Sequence, residues 1–270
     1  MAMRLILTVY AFIIGLCFGS FALATAWRLK KKKSFGGKQR SQCEHCKHVL
    51  HAVDLVPLIS WISLRGRCRY CRTRLSPLYP AAELLGGIAV AASYYYWPSS
   101  LSGALASSQF AVWLIELVLL LILFFYDMQW YILPNKVMYP LWGVSVLSFL
   151  LTFFHNPSAK TLLHGALAVV VGAGVFFVLH ELSKGKWIGF GDVRLGLAIG
   201  LLIGTPLLAA LVIFVASVLG VIAATPDLIR KKRSLSSRLP FGPLLIVALI
   251  LVRLFGQRVV DWYAVHILYL

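Results

Sequence analysis

Two aspartates stand beside apolar segments in a chain of 270 residues that has only nine acidic side chains. Asp127 directly follows the apolar run LILFFY, and Asp192 lies between GFG and the segment VRLGLAIG. Two carboxylates that lie close together in a low-dielectric cleft share one proton, so one can take a proton from water while the other donates to a carbonyl oxygen. Such a pair can hydrolyse an amide bond. We therefore predict that Asp127 and Asp192 are catalytic.

Three further residues are predicted to support this pair. Gly189 and Gly191 flank Phe190 just before Asp192, and glycine allows the close backbone approach that would bring the acid to its neighbour. Glu83, in YPAAELLGG, is a candidate third polar group in the same cleft, or a partner for an arginine. The alternative is that each aspartate merely ends a helix, with Asp192 as an N-cap.

Four cysteines form a second candidate site in a strongly basic loop. They occur as CEHC and CRYC, with the spacing C-x2-C-x21-C-x2-C that is typical of zinc ribbons. A shell of four thiolates leaves no open position for substrate, so the metal would fold the loop rather than catalyse. The predicted zinc ligands are Cys43, Cys46, Cys68 and Cys71.

Other interpretations of the cysteine loop remain open. His45, His48 and His51 lie nearby and are candidates to replace one thiolate ligand. A redox-active pair of dithiols is a second interpretation. Structural disulfides are disfavoured, because the predicted topology places the loop in a reducing compartment.

The composition predicts an all-α membrane protein that crosses the bilayer several times. Hydrophobic residues make up 60% of the chain and charged residues 13%, and one soluble core cannot bury so much apolar surface. Since a helix needs about 20 apolar residues to span the hydrocarbon, we predict about eight transmembrane helices. Their apolar runs are 5–26, 79–97, 110–126, 137–155, 162–181, 194–204, 206–226 and 240–256.

The basic residues predict the orientation of these helices. Thirteen of the 26 Lys and Arg fall between Arg28 and Arg74, and a second basic block occupies 230–238. Lys and Arg accumulate on the cytoplasmic side, so the N-terminus and the segments 97–109 and 155–160 are predicted to lie outside. The first apolar run is long and is not followed by an A-x-A cleavage site, so it is predicted to be a retained anchor.

This pattern divides the chain into three segments: a first transmembrane helix at 1–27, a cytoplasmic zinc-binding domain at 28–78, and a transmembrane core at 79–270. Both aspartates then lie at the cytoplasmic face. Anionic lipids are the expected partners of the basic loops, because clusters of Lys and Arg beside a membrane bind anionic headgroups. Nucleic acid is not expected, since neither a helix-turn-helix motif nor an aromatic platform accompanies the charge.

Several motifs, in this order, make the chain resemble the type IV prepilin peptidases, members of the GxGD class of intramembrane aspartic proteases. The motifs are GLCFGSF, the paired CxxC loop, LISWISLRGRCRYCRTRLSPLYPAAELLGG, DMQWYILPN, GFGDVRL and LPFGPLL. The resemblance implies that Asp127 and Asp192 are the catalytic aspartates and that the four cysteines bind zinc. It also implies residence in the bacterial inner membrane.

The implied substrates are prepilins and pseudopilins of type IV pili, type II secretion or competence systems, whose basic leader is removed at the cytoplasmic face. The family is bifunctional, and the resemblance also implies methylation of the new N-terminus from S-adenosylmethionine. Two departures concern the half associated with methyl transfer: Leu23 follows GSF where the family has Asn nearby, and Asp54 is followed by Leu55 instead of Asn.

Two alternatives belong to other functional classes. In a transporter or ion channel, Asp127 and Asp192 would form a proton or cation relay, since glycine-interrupted helices occur there too. In a scaffold for pilus or secretion machinery, the zinc loop would be structural and neither aspartate would be needed.

Overall fold

A computed structural model describes five ranges of the chain: residues 2–32, 40–98, 101, 103–229 and 240–268. Within these ranges the regular structure is helical, and the extended segments form two isolated bridges, Gln42 with Val49 and Arg67 with Arg74. The prediction of an all-α protein is confirmed. The basic block 230–238 lies outside the described residues.

The described residues form a series of helices along the chain. In chain order the α-helices are α1 (Ala2–Lys30), α2 (Ile59–Ser63), α3 (Leu78–Tyr96), α4 (Ala104–Trp130), α5 (Asn135–His155), α6 (Ala159–Ser183), α7 (Phe190–Ile203), α8 (Pro206–Ile229) and α9 (Phe241–Tyr263). A 3-10 turn at Ala52–Leu55 precedes α2, and a π-helical turn at Ala264–Leu268 follows α9.

Local signals set several helix ends. Pro134 and Pro240 directly precede α5 and α9, where the missing N–H of proline costs nothing. The side chain of Ser158 accepts a hydrogen bond from the N–H of Thr161 and so caps α6. Gly204 ends α7 in the left-handed conformation, with its N–H bonded to the carbonyl of Gly200.

Six of the helices are long and apolar enough to cross a membrane: α1, α4, α5, α6, α8 and α9. Each of the eight apolar runs in the sequence coincides with an α-helix. Two of these helices, α3 and α7, are not among the six that are long and apolar enough. α7 has 14 residues, or about 21 Å, which is shorter than the hydrocarbon core. The total of about eight spans therefore stays a prediction. Large apolar side chains on α8, including Leu207, Phe214 and Val221, are exposed, as lipid contact requires.

The chain forms two compact units, Met1–Tyr95 and Tyr96–Leu270. Helix α3 belongs to the first unit, whereas the sequence-based division began the membrane core at residue 79. The three functional segments stay a prediction.

In the first unit, α1 and α3 pack backbone to backbone. A Cβ atom on Gly19 would lie 2.1 Å from the carbonyl oxygen of Ala82, and one on Gly86 would lie 2.4 Å from that of Gly15. Small residues allow helices in a membrane to approach this closely. The glycines of GLCFGSF therefore form the contact surface between α1 and α3.

In the second unit, α6 and α7 pack in the same way. A Cβ atom on Gly172 would lie 2.5 Å from the carbonyl oxygen of Gly196, and one on Gly196 would lie 2.2 Å from that of Gly172. Gly200 makes a third such contact, with Ala168. The short helix α7, which carries Asp192, is thereby held against a long neighbour.

We expect Gly172→Ala to destabilise the protein by about 1–3 kcal/mol, because the added methyl group would overlap rigid backbone. Gly174→Ala, two residues further along α6, is the matched control: its Cβ atom would meet only the side chain of Val170, at 3.9 Å. Thermal unfolding in detergent measures both. Equal melting temperatures for the two variants would contradict the close packing of α6 on α7.

Candidate active site and metal centre

Asp127 lies in the last turn of α4 and is 6% exposed. The N–H of Tyr131, in the left-handed conformation, bonds to the carbonyl of Asp127 and ends the helix. The start of α9 packs on the carboxylate: the backbone of Gly242 hydrogen-bonds to it, and a Cβ atom there would lie 2.6 Å from Oδ2. Only glycine at position 242 allows this approach.

Asp192 is the third residue of α7 and is partly buried. Gly189 is the N-cap, and its carbonyl accepts a hydrogen bond from the N–H of Asp192. The carboxylate in turn interacts with the backbone of Gly189, as an acid at the third helical position does in a capping box. The N-cap position that the alternative interpretation gave to Asp192 is therefore wrong, since Gly189 occupies it.

The two carboxylates are close enough for their charges to interact. Leu133, in the connection after α4, joins their surroundings. A Cβ atom on Gly191 would lie 3.3 Å from the Leu133 side chain, and one on Gly242 would lie 3.4 Å from it. Two neighbouring carboxylates in an apolar setting can share a proton and exchange it with a bound substrate and water.

A polar link that the sequence analysis missed joins the two acid-bearing motifs. The Arg194 guanidinium hydrogen-bonds to the side chain of Asn135, the first residue of α5. The indole N–H of Trp142 donates to the carbonyl of Arg194 at 3.0 Å. Asn135 is the last residue of the motif DMQWYILPN, and Arg194 lies in GFGDVRL. The presence of a polar residue in each of these apolar motifs was the sequence feature that could have predicted this link.

Glu83 lies in the first unit, on α3. Its carboxylate accepts hydrogen bonds from the hydroxyl of Ser20, at 3.0 Å, and from the backbone N–H of Leu58, at 2.7 Å. Leu58 is the N-cap of α2 and has a positive φ of 61°. Glu83 thus fixes the start of α2 against α1 and α3, and these two hydrogen bonds involve no arginine. Its predicted place beside the aspartates stays a prediction.

The cysteine loop folds into two similar turns. Each turn has a left-handed residue directly after the second cysteine, Lys47 in one and Arg72 in the other. In each, the first cysteine and the left-handed residue donate backbone hydrogen bonds: Cys43 to His48 and Lys47 to Cys43 in the first turn, and Cys68 to Thr73 and Arg72 to Cys68 in the second.

The four sulfur atoms converge within 4.8 Å of one another. A tetrahedral ion with metal–sulfur bonds of about 2.3 Å requires sulfurs about 3.8 Å apart, and Cys43 Sγ lies 3.9 Å from Cys71 Sγ. The cysteines therefore fit a metal ion. The group consists of cysteines alone, whereas His48 packs its ring on that of Tyr70, with centroids 3.6 Å apart.

The thiols differ in acidity. Hydrogen bonds with Thr73 lower the pKa of Cys71 to about 5. A backbone hydrogen bond from His48 acts to lower the pKa of Cys46, but burial and the thiols of Cys43 and Cys71 outweigh it and raise the pKa to about 11. Since a metal binds the thiolate, Cys46 must release a proton when an ion enters.

Asp54 ties the 3-10 turn to the second cysteine turn. Its carboxylate accepts hydrogen bonds from Arg69, at 2.6 Å, and from the hydroxyl of Tyr70, at 2.9 Å. Burial acts to raise the pKa of Asp54, but these bonds and one from the His51 N–H outweigh it, so the pKa lies below its ordinary value. Asp54 thus helps to fold the cysteine loop.

Two protein-family models match most of the chain. The Bacterial Peptidase A24 N-terminal domain matches residues 13–97, and the Type IV leader peptidase family matches residues 114–225. The first range contains the four cysteines and Glu83, and the second contains both aspartates. The boundary between the two compact units, after Tyr95, lies near the end of the first match.

Individual relatives match over most of this chain. The chain is 32% identical to the type 4 prepilin-like proteins leader peptide-processing enzyme of Escherichia coli O78:H11, over 88% of this chain and 90% of the relative. It is 32% identical to the prepilin leader peptidase/N-methyltransferase of Aeromonas hydrophila, over 85% and 76% respectively. The corresponding enzyme of Bacillus subtilis is 28% identical, over 93% and 96%.

No solved structure matches the chain. The positions of the aspartates and the cysteines therefore come from this structure alone, and the family comes from sequence similarity. With its two acid-bearing motifs in the matched range 114–225 and relatives aligned over nearly its full length, the chain belongs to the type IV leader peptidase family.

Proposed function

We propose that the protein is an aspartic endopeptidase that removes the basic leader peptide from type IV prepilins and pseudopilins. The observation that carries the proposal is that Asp127 and Asp192, 65 residues apart in the chain, lie close enough for their charges to interact. Both belong to the range that matches the leader peptidase family. The printed names of the relatives supply the substrate class.

In the proposed reaction, an ionised aspartate takes a proton from a water molecule, whose oxygen attacks the scissile carbonyl carbon. The other, protonated aspartate donates its proton to the carbonyl oxygen. When the C–N bond breaks, the amine leaves with a proton returned by the first aspartate, and the second regains its proton from the intermediate. One water is consumed, and the pair ends in its starting protonation state.

The protein is a multi-pass membrane protein, with six helices suited to span a bilayer. We place the aspartates at the cytoplasmic face and the N-terminus outside, because the basic residues between Arg28 and Arg74 belong on the cytoplasmic side. A peptide bond inside a membrane helix is shielded by backbone hydrogen bonding. A site at the membrane face avoids this shielding, since the leader can be extended there while the substrate helix stays in lipid.

Zinc is the proposed metal of the cysteine site, and its role is to hold the two cysteine turns together. Cys43, Cys46, Cys68 and Cys71 would provide all four ligands. Zinc favours tetrahedral thiolate sites of this kind. The spacing of the sulfur atoms supports zinc as the metal. A shell of four thiolates leaves no open coordination position for a reaction, which supports a structural role.

Methylation of the new N-terminus from S-adenosylmethionine is the second proposed activity. Its support is the match of residues 13–97 to the family's N-terminal domain and the names of the relatives. The transporter hypothesis has no comparable support, because both matching family models describe peptidases.

Replacing either aspartate should abolish leader removal. We expect Asp127→Asn and Asp192→Asn each to lower the cleavage rate by at least about a thousandfold, since the pair acts as a unit. Asp261→Asn is the control, because Asp261 is exposed on α9 and its carboxylate accepts a hydrogen bond from Gln257 on the same helix. Mass spectrometry of a co-expressed prepilin N-terminus reports the cut and any added methyl group. Full cleavage by both single variants would refute the proposal.

Removal of one zinc ligand should empty the metal site. We expect about one zinc per chain in the purified protein and a large loss in Cys68→Ser, since three thiolates bind zinc more weakly than four. Cys17→Ser, on α1, is the control. Zinc added to stripped protein should release protons, because the Cys46 thiol must ionise. Metal analysis and a pH indicator measure these effects, and equal zinc in both variants would contradict the assignment.

A further inference from the structure

A buried acid and an arginine lie in the second unit away from the aspartates. Glu116, on α4, is 1% exposed and lies close enough to Arg253, on α9, for an electrostatic interaction. Ionisable groups within membrane helices are costly and usually serve function. The proposed peptidase chemistry does not use this pair.

The polar atoms around the pair are poorly satisfied. Among the described residues, both carboxylate oxygens of Glu116, the Nε of Arg253 and the Nε1 of Trp97 are buried without a hydrogen bond of ordinary geometry. The rings of Trp97 and Trp113 lie 5.4 and 5.9 Å from the guanidinium carbon. Burying these polar atoms without partners costs free energy, and ordered water can complete their hydrogen bonds.

Arg253 makes one direct hydrogen bond that explains its position. Its Nη1 donates to the carbonyl of Leu202 at 2.9 Å. Leu202 lies in the last turn of α7, whose final carbonyls have no partner within the helix. A cation at a helix C-terminus satisfies such carbonyls and interacts favourably with the helix dipole. Arg253 therefore caps the end of α7 opposite to Asp192.

The same three helices meet at both levels. Asp127 and Glu116 are eleven residues apart on α4, and Gly242 and Arg253 are eleven residues apart on α9. Asp192 and Leu202 are ten residues apart on α7. At 1.5 Å per residue, each interval is about 15–17 Å. Contacts at one level therefore constrain the axial position of α7 at the other.

We propose that Arg253 is a positioning residue: through its hydrogen bond to Leu202 it holds the C-terminal end of α7 and thereby sets the position of Asp192 relative to Asp127. This inference rests on the proposed function for its catalytic consequence. Its structural content concerns α7 alone.

The test removes the cap without leaving a buried unpaired charge. The double variant Glu116→Gln/Arg253→Met eliminates both charges, since removing one partner alone is strongly destabilising. Arg253→Lys keeps a cation on the same helix, and Arg258→Met, at an exposed position of α9, is the control. Two readouts apply to each: hydrogen exchange of α7 in detergent, and kcat and KM for a prepilin.

We expect the double variant to exchange faster at residues 190–195 as well as 200–205, and to lose kcat by about 10- to 100-fold with KM unchanged, because a misplaced catalytic group costs this much. Arg253→Lys should restore part of kcat, and Arg258→Met should match the wild type. Wild-type exchange at 190–195 overturns the proposal, whatever happens to kcat, because α7 then keeps its position without the cap. So does faster exchange at 190–195 with an unchanged kcat.

The two proposals fail separately. If the unaltered protein does not cleave prepilin, the proposed function is refuted, and hydrogen exchange of residues 190–195 still decides whether Arg253 positions α7.

Discussion

The second unit is organised by the cost of keeping two carboxylates in apolar surroundings. A charged group that leaves water must be paired or hydrogen-bonded. Here backbone groups partner the acids: Gly242 contacts Asp127, and Gly189 contacts Asp192. The ion pair between Asp54 and Arg69 lies in the other unit. Backbone partners suit a proton-sharing pair, because a lysine or arginine beside the acids would hold both of them ionised.

Close helix packing is what brings these backbones to the acids. Gly242 lets the start of α9 reach Asp127, and Gly191 lets the start of α7 contact Leu133. Gly172 and Gly196 remove the side chains that would separate α6 from α7. In a membrane, where apolar side chains gain little by leaving lipid, such contacts and buried polar links provide much of the association between helices. The hydrogen bond between Arg194 and Asn135 is one such link.

The sequence predicted the elements of this protein better than their mutual positions. Eight apolar runs coincide with helices because hydrophobicity over about 20 residues is a local property. The cysteine spacing predicted that the four sulfur atoms converge, because each of two short turns supplies two of them. The N-cap of α7 was missed, since glycine carries no side-chain signal for that role. The contacts of Arg194 with Asn135 and of Arg253 with Leu202 join residues 59 and 51 positions apart. Neither the hydrophobic pattern nor the helix propensity of a segment indicates contacts between residues this far apart in the chain.

The fixed length of α7 constrains how the chain can change during evolution. One residue inserted between Asp192 and Leu202 would rotate one end relative to the other by about 100° and displace it by about 1.5 Å. Both ends are held by contacts with other helices, so such an insertion would break one set of them. Connections between helices generally tolerate insertions better than helix interiors do. Insertions and deletions among homologous enzymes should therefore accumulate in such connections and be selected against within α7.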